Sequence, residues 1–390
     1  MDRENKRRIY LDNGATTRTD PRVVEAMLPY MTAEYGNASS LHSFGVKARD
    51  AMEKARATIA NAIHAKPSEI IFTSGGTESD NLAILGFVSA NKGRGNHIIT
   101  TRFEHPAVLN TCKHLESEGF RVTYLPVTRE GIVGLEELEM AITDRTVLVS
   151  IMHANNEIGS IQPLDRIADV CKSKSRGICL HSDAVQSFTK LPIDVSKTRV
   201  DMLSMSAHKI HGPKGVGALY LREGVKINRL VFGGHHERDL RPGTENIAGI
   251  VGFAKAVELM NRTEIASMTK LRDMLIRGIM EGVSDVVLNG SQSERLCNNV
   301  NISFKYVEGE SLLLSLDAEG IAVSTGSACS SRSLEPSHVL LSIGLRPEMA
   351  HGSLRFTLSR FTTEEEIDHV LEVLPRVVKR LRDISPLKGG

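Results

Sequence analysis

Charge of one sign is missing from this sequence. Across 390 residues, 48 Lys and Arg face 47 Asp and Glu, a formal balance of +1. Coating a phosphate backbone draws on a cationic surplus, so direct nucleic-acid binding is not expected. Also missing is any run of 18 apolar residues, which leaves no candidate for a membrane-crossing helix. No internal repeat and no low-complexity linker interrupts the chain. Residues 1–8 are charged and lead straight into Ile9-Tyr10-Leu11, without the apolar stretch of a signal peptide and too acidic for a transit peptide. The expectation is a cytoplasmic protein. Cysteine is scarce: five residues, at 112, 171, 179, 297 and 329, none in a C-x-x-C pair. That gives no support to a structural zinc site or a dithiol redox motif, and reduced thiols fit best. No metal is expected. The 41% hydrophobic and 24% charged content is ordinary for a globular chain. At roughly 150 residues per domain, two or three domains are anticipated.

Between residues 67 and 222, short apolar runs alternate with helical patterns. Strands are predicted over 69–73, 97–100, 121–125, 146–150, 178–181, 202–205 and 217–221. Helices are predicted over 79–90, 107–118 and 164–175. Such alternation implies an α/β fold with a mostly parallel sheet covered on both faces. The last two strands have no full helix between them, so part of the sheet is expected to run antiparallel. From 246 to 281 the chain reads as long helical sequence. Strands at 299–304 and 353–357, a helix near 310–317 and a final amphipathic helix over 364–381 follow. They describe a smaller α+β domain completed by the N-terminal segment, with a boundary near residue 260.

Several polar clusters follow strands directly, where functional groups gather in such sheets. The string from Thr73 to Ser79, Thr-Ser-Gly-Gly-Thr-Glu-Ser, opens a helix and fits a phosphate cradle. A plain turn with an N-cap is the commoner use of such a string. Asp183 stands at a strand end, where a lone Asp more often caps a helix. Lys209 follows another strand beside His208, in a place where a lysine is usually a solvated loop charge. Taken together and in this order, a cradle, a strand-end Asp and a strand-end Lys are what pyridoxal 5'-phosphate needs: an anchor for the phosphate, a carboxylate for the ring nitrogen and an amine for the aldehyde.

The strings Tyr10 to Thr17, Tyr35 to His42, Thr73 to Ser79, His153 to Gly159, His181 to Gln186 and Ser206-Ala-His-Lys209 resemble class V, fold-type I pyridoxal-phosphate enzymes. Within that class, Ser324-Thr-Gly-Ser-Ala-Cys-Ser-Ser331 resembles the cysteine loop of the NifS/IscS-type cysteine desulfurases, and residues 353–368 resemble their C-terminal signature. The resemblance runs from Ile9 to the last helix. It implies a fold-type I transferase with a large sheet domain over 15–260, and a small domain of 1–14 and 261–390 that carries the cysteine loop.

The resemblance also implies roles. Lys209 forms the Schiff base, Asp183 pairs with the ring nitrogen, and Gln186 bonds the phenolic oxygen. His105 stacks on the ring and moves protons. Gly76, Thr77, Ser206 and His208 hold the phosphate, joined by Thr244 from a second subunit of a homodimer. Asn156 contacts cofactor and substrate, and Arg355 grips the carboxylate of L-cysteine. Cys329 is the nucleophile that carries sulfur as a persulfide, or touches a nascent cluster, before an iron–sulfur scaffold or a tRNA-thiolation protein accepts it. A small buried thiol is the commoner state of a free cysteine, but Gly, Ser, Ala and Thr around Cys329 show no apolar periodicity. Rival readings are a selenocysteine lyase, an aminotransferase, or a non-enzymatic scaffold with a degenerate site. The segment 233–244 departs from the family pattern at His235, His236 and Pro242. Gly14 and Gly76 stand where Ala is more usual.

Overall fold

The computed structural model describes residues 8–325 and 335–386. The chain enters through a two-residue strand, β1 (Ile9–Tyr10), then two helices, α1 (Pro21–Thr32) and α2 (Ser43–Ala62). The alternating region follows: β2 (Ile70–Thr73), α3 (Gly76–Ala90), β3 (His97–Thr101), α4 (Pro106–Ser117), β4 (Arg121–Leu125), α5 (Leu135–Ala141), β5 (Thr146–Ser150), α6 (Leu164–Lys174), β6 (Cys179–Asp183), β7 (Met202–Ser206) and β8 (Gly217–Leu221). These strands form one seven-stranded sheet in the order β2-β8-β7-β6-β5-β3-β4. The β8 strand runs antiparallel to both its neighbours, and the other pairs are parallel.

Side chains alternate across this sheet. Ile70, Phe72, Val149, Leu203 and Tyr220 pack toward α2, α6 and α7 (Ile247–Leu259), while Ile71, Ile98, Leu148, Met202 and Leu219 pack toward α3 and α4. Burial on both faces is why the central strands read as continuous apolar runs rather than as an alternation.

The remaining chain builds a second core. After α8 (Arg262–Gly282) come β9 (Val286–Leu288), β10 (Asn299–Phe304), α9 (Gly309–Ala318), β11 (Ile321–Ala322), α10 (His338–Ser342), α11 (Pro347–His351), β12 (Ser353–Thr357) and α12 (Glu364–Asp383). An antiparallel sheet in the order β12-β10-β9 carries α8 and α12, and β1 pairs in parallel with β11. Ile9 and Leu11 share an apolar cluster with Leu275, Ile302, Phe356 and Leu374. A capping box between Thr363 and Glu366 opens α12, satisfying backbone donors that the helix itself leaves unpaired. Among the described residues, no helix is long and apolar enough to cross a membrane.

Most boundaries fall within two residues of the sequence expectation, and three departures bear on the site or the helical run. The α3 helix starts at Gly76 rather than at 79, because Gly75 reaches φ 154° and the Glu78 carboxylate accepts from the Ser74 N–H. The cradle is therefore the first turn of the helix itself. The β6 strand continues to Asp183, two residues further than predicted. The helical run 246–281 is two helices, parted at Met260 and Asn261, where Asn261 caps α8 by accepting from Glu264 N–H.

Candidate active site

Chain direction gathers the site at the carboxyl ends of the parallel strands, where β6 delivers Asp183 and a turn after β7 delivers Lys209. The N-terminus of α3 supplies Gly76 and Thr77, and that of α4 supplies His105 as its cap. Asn156, Gln186, His208 and Arg355 complete the wall of a cavity of about 280 Å³ that these residues share. Ser206 is buried and is not part of this wall; its Oγ stands 3.9 Å from where a Cβ on Gly75 would be. Of the remaining predicted residues, Thr244 is exposed and outside this wall. Cys329 lies outside the described residues.

The Lys209 ammonium donates to the carbonyls of Gly14 at 2.6 Å and Ala15 at 2.7 Å. Gln186 donates from Nε2 to the same Gly14 carbonyl at 3.0 Å. Asp183 Oδ1 accepts from Val185 N–H at 2.8 Å. Burial pushes the Asp183 carboxyl up, against the pull of His105, the Val185 N–H and Lys209. Burial holds the His105 imidazole down, with Lys209 and His338 acting the same way and Asp183 opposing. Nδ1 of His105 accepts from Ala107 N–H at 3.1 Å, so a neutral ring carries its proton on Nε2. His208 is pushed down to about 4, chiefly by burial. Its Nδ1 lies 3.1 Å from Thr16 Oγ1.

Arg355, on β12, donates from Nη2 to Asp12 at 2.9 Å and from Nη1 to the Asn156 carbonyl at 3.0 Å. Its side chain is only 3% exposed, and Nε is buried with no partner among the described residues. Among the described residues the Ser206 hydroxyl is likewise buried without one. Buried polar groups left open at and near one cavity, Asp80 Oδ1 among them, mark places where a ligand can supply the missing half of a bond.

These residues fit pyridoxal phosphate. The first turn of α3 offers unpaired N–H groups and the positive end of a helix dipole for the phosphate, with Ser206 Oγ near Gly75. A cationic ring nitrogen against Asp183 offsets the burial that disfavours its charge. Gly76 has a steric reason as well. A Cβ there would stand 2.6 Å from Val185 Cγ2, so in this chain a valine methyl fills the space that an alanine would take.

Sequence reasoning gave no role to four residues that shape this site. Asp80 lines the cavity, and its carboxyl is raised well above the usual range by burial and by the charge of Asp183. Asp12, Gly14 and Ala15 contact Arg355 and Lys209. Their string, Tyr10 to Thr17, was visible as a motif, but backbone carbonyls leave no signature in a sequence. The 233–244 segment is tied to the large sheet, although nothing in the structure explains its departures at His235, His236 and Pro242. Glu237 forms a buried two-pronged ion pair with Arg56, at 2.7 and 2.8 Å, and accepts from Phe72 N–H.

The chain matches the family described as Aminotransferase class-V over residues 9–370. Cysteine desulfurase IscS of Clostridium botulinum is 55% identical, over 98% of this chain and 97% of that protein. Cysteine desulfurase IscS of Methanosarcina thermophila is 54% identical, over 98% and 95%. Among solved structures, a NifS-like protein superposes with a TM-score of 0.91 at 42% identity, covering 96% of this chain and 100% of that one. SspA in complex with cysteine gives 0.82 at 38% identity, covering 91% and 100%. Matches this long leave no large part of the fold unaccounted for, and the cofactor-shaped cavity lies within them: the chain belongs to the class-V aminotransferase family, in its group of IscS and NifS cysteine desulfurases.

Proposed function

We propose that this cavity removes sulfur from L-cysteine, releasing L-alanine and leaving a persulfide on Cys329. The observation that carries the reading is the meeting of Lys209, Asp183, His105 and Arg355 in the wall of one cavity of about 280 Å³. When bound, pyridoxal phosphate supplies an electron sink for the substrate's Cα. Lys209 holds its aldehyde carbon, Asp183 its ring nitrogen, Gln186 its phenolic oxygen, and Gly76, Thr77, Ser206 and His208 its phosphate, with Thr244 reaching the phosphate of a partner subunit.

Arg355 takes the substrate's carboxylate, and Asn156 lies against it through the carbonyl that Arg355 already holds. Fixing the carboxylate orients the Cα–H before any proton moves. The neutral His105 holds a proton at Nε2 that it can give and recover. The Cys329 thiolate attacks the substrate sulfur: an S–S bond forms, the Cβ–S bond breaks, and the three-carbon remainder takes up protons to leave as alanine. One cysteine and one enzyme thiol become one alanine and one persulfide, with no outside oxidant.

The IscS names of the relatives support an iron–sulfur scaffold as acceptor, and a tRNA-thiolation protein fits the same chemistry. A cytoplasmic homodimer is part of the reading. Exposed Val231 and Phe232, close in sequence to Thr244, support a subunit contact there. A division into 15–260 and 1–14 with 261–390 is part of the same reading; two separate apolar cores support it, and a smaller cluster joins Phe103, Met152 and Ile158 to Val339 and Leu340 across that boundary.

The test is alanine and sulfide release from L-cysteine with a thiol reductant, comparing wild type with Cys329→Ala and following the cofactor absorbance. Equimolar products that vanish in the variant while the absorbance stays are expected. Alanine formation that survives the substitution moves the reading to a lyase or an aminotransferase.

A further inference from the structure

Arg355 does not stand alone in the cavity wall. Residues 12–15 form a turn that touches Arg355 on one side and Lys209 on the other. Asp12 accepts from Arg355 Nη2 at 2.9 Å, while the Gly14 and Ala15 carbonyls accept from Lys209 Nζ at 2.6 and 2.7 Å. The turn is held at several points. Ala15 N–H donates to the Asp12 carbonyl at 3.0 Å, and the Tyr10 hydroxyl bonds the carbonyls of Asp12 and Thr16. Asn13 Nδ2 donates to the Thr357 carbonyl at 2.8 Å, and Gly14 N–H to Thr357 Oγ1 at 2.6 Å. A Cβ at Gly14 would stand 3.0 Å from Thr357 Cγ2 and 3.3 Å from Arg355 Cζ, so the turn lies directly against the guanidinium. It fixes the separation between the arginine and the lysine.

With Nη2 on Asp12 and Nη1 on the Asn156 carbonyl, the Nε–H is buried and, among the described residues, unmatched, in a residue that lines the cavity. An unmatched buried N–H calls for an acceptor, and a carboxylate takes two guanidinium N–H groups at once. We infer that Asp12 is a positioning residue for the amino-acid substrate: it sets the plane of Arg355 so that the substrate's carboxylate meets a pre-aimed guanidinium at a fixed distance from Lys209. The inference rests on the reading above, in which Arg355 binds that carboxylate. Asp12 does not touch the reacting atoms. Its side chain is 21% exposed against 3% for Arg355, so the acid stands at the rim and the arginine within.

The test compares two ligands that do not turn over. L-alanine carries the carboxylate and ethylamine lacks it. Each is titrated into the cofactor-loaded protein, wild type, Asp12→Ala and Asp12→Asn, and the dissociation constant is read from the cofactor absorbance, with circular dichroism checking the fold. Asp12→Ala is expected to weaken L-alanine about tenfold and leave ethylamine unchanged, as loss of a charge-assisted bond implies. Asp12→Asn keeps an acceptor oxygen and should recover most of the loss. L-alanine binding that is unchanged or tighter in Asp12→Ala overturns the inference, and so does an equal loss for both ligands. A wild-type protein whose absorbance responds to neither L-alanine nor L-cysteine overturns the parent reading together with it, and is distinguished by needing no variant.

Discussion

The ion pair between Arg56 and Glu237 anchors the segment on which Thr244 rides, and its loss has a calculable cost. Arg56 and Glu237 expose 4% and 3% of their side chains. The glutamate accepts two bonds from the guanidinium and a third from Phe72 N–H at 2.7 Å. It also opens a run of three non-glycine residues, Glu237, Arg238 and Asp239, at φ 42°, 56° and 67°. Such left-handed backbone persists only when its surroundings over-determine it. Removing one member of a buried pair costs about 3–5 kcal/mol, because the other charge is left uncompensated. Arg56 keeps Glu53 and the Ile70 carbonyl, so Glu237→Gln should fall near the lower end, about 3 kcal/mol. For a unit of 150–250 residues, that lowers the thermal midpoint by roughly 6–12 °C. The sequence has no tryptophan, so melting is followed by far-ultraviolet circular dichroism. Arg56→Met strands the carboxylate and should cost at least as much. The double variant Arg56→Met/Glu237→Gln removes both charges and should cost clearly less than the sum of the two. Additive losses, or a single loss under about 1 kcal/mol, would refute the idea that this pair holds the segment.

Two further outcomes follow from the site. Gly76→Ala drives a Cβ into Val185 and should weaken pyridoxal-phosphate binding about tenfold, measured by absorbance titration of the apoprotein; Gly76→Ala/Val185→Ala should recover it. Wild-type affinity in the single variant would show that the valine simply turns away. Burial pushes Glu104 up to about 8 from 4.5, so folding keeps a proton there that the unfolded chain releases. That stability is fully present below pH 4.5 and is lost as pH rises toward 8, at about 1.4 kcal/mol per pH unit. Glu104→Gln removes the dependence, so its stability relative to wild type, from urea melts, should rise by about 2–3 kcal/mol between pH 5.5 and 7.5. Parallel curves would contradict it.

Much of the large sheet was legible because its strands are buried on both faces, and short β-branched or aromatic apolar runs such as Thr-Val-Leu-Val-Ser and Gly-Ala-Leu-Tyr-Leu are of strand length. The α2 helix was not legible in the same way. Its buried face is Gly45, Ala48, Met52, Ala55, Ile59 and Ala60, and small residues that let α7 approach closely give a weak hydrophobic rhythm. Site residues at strand ends, Asp183 and Lys209, stood out because their positions follow from chain direction. Asp12 did not, because its significance depends on a partner 343 residues away.

The turn at residues 12–15 has a consequence for how the protein is made. Lys209 meets it across 195 residues and Arg355 across 343, and Thr357 closes on Leu11 across 346. Contacts of such span form late, since the chain between must first be ordered. During vectorial synthesis, the cradle at Gly76 and the turn after β7 that bears Lys209 leave the ribosome long before β12 does. A nascent chain can therefore hold most of its large sheet while the wall that fixes amino-acid geometry does not yet exist. On the reading proposed above, Lys209 is in place before the arginine that would select an α-carboxylate.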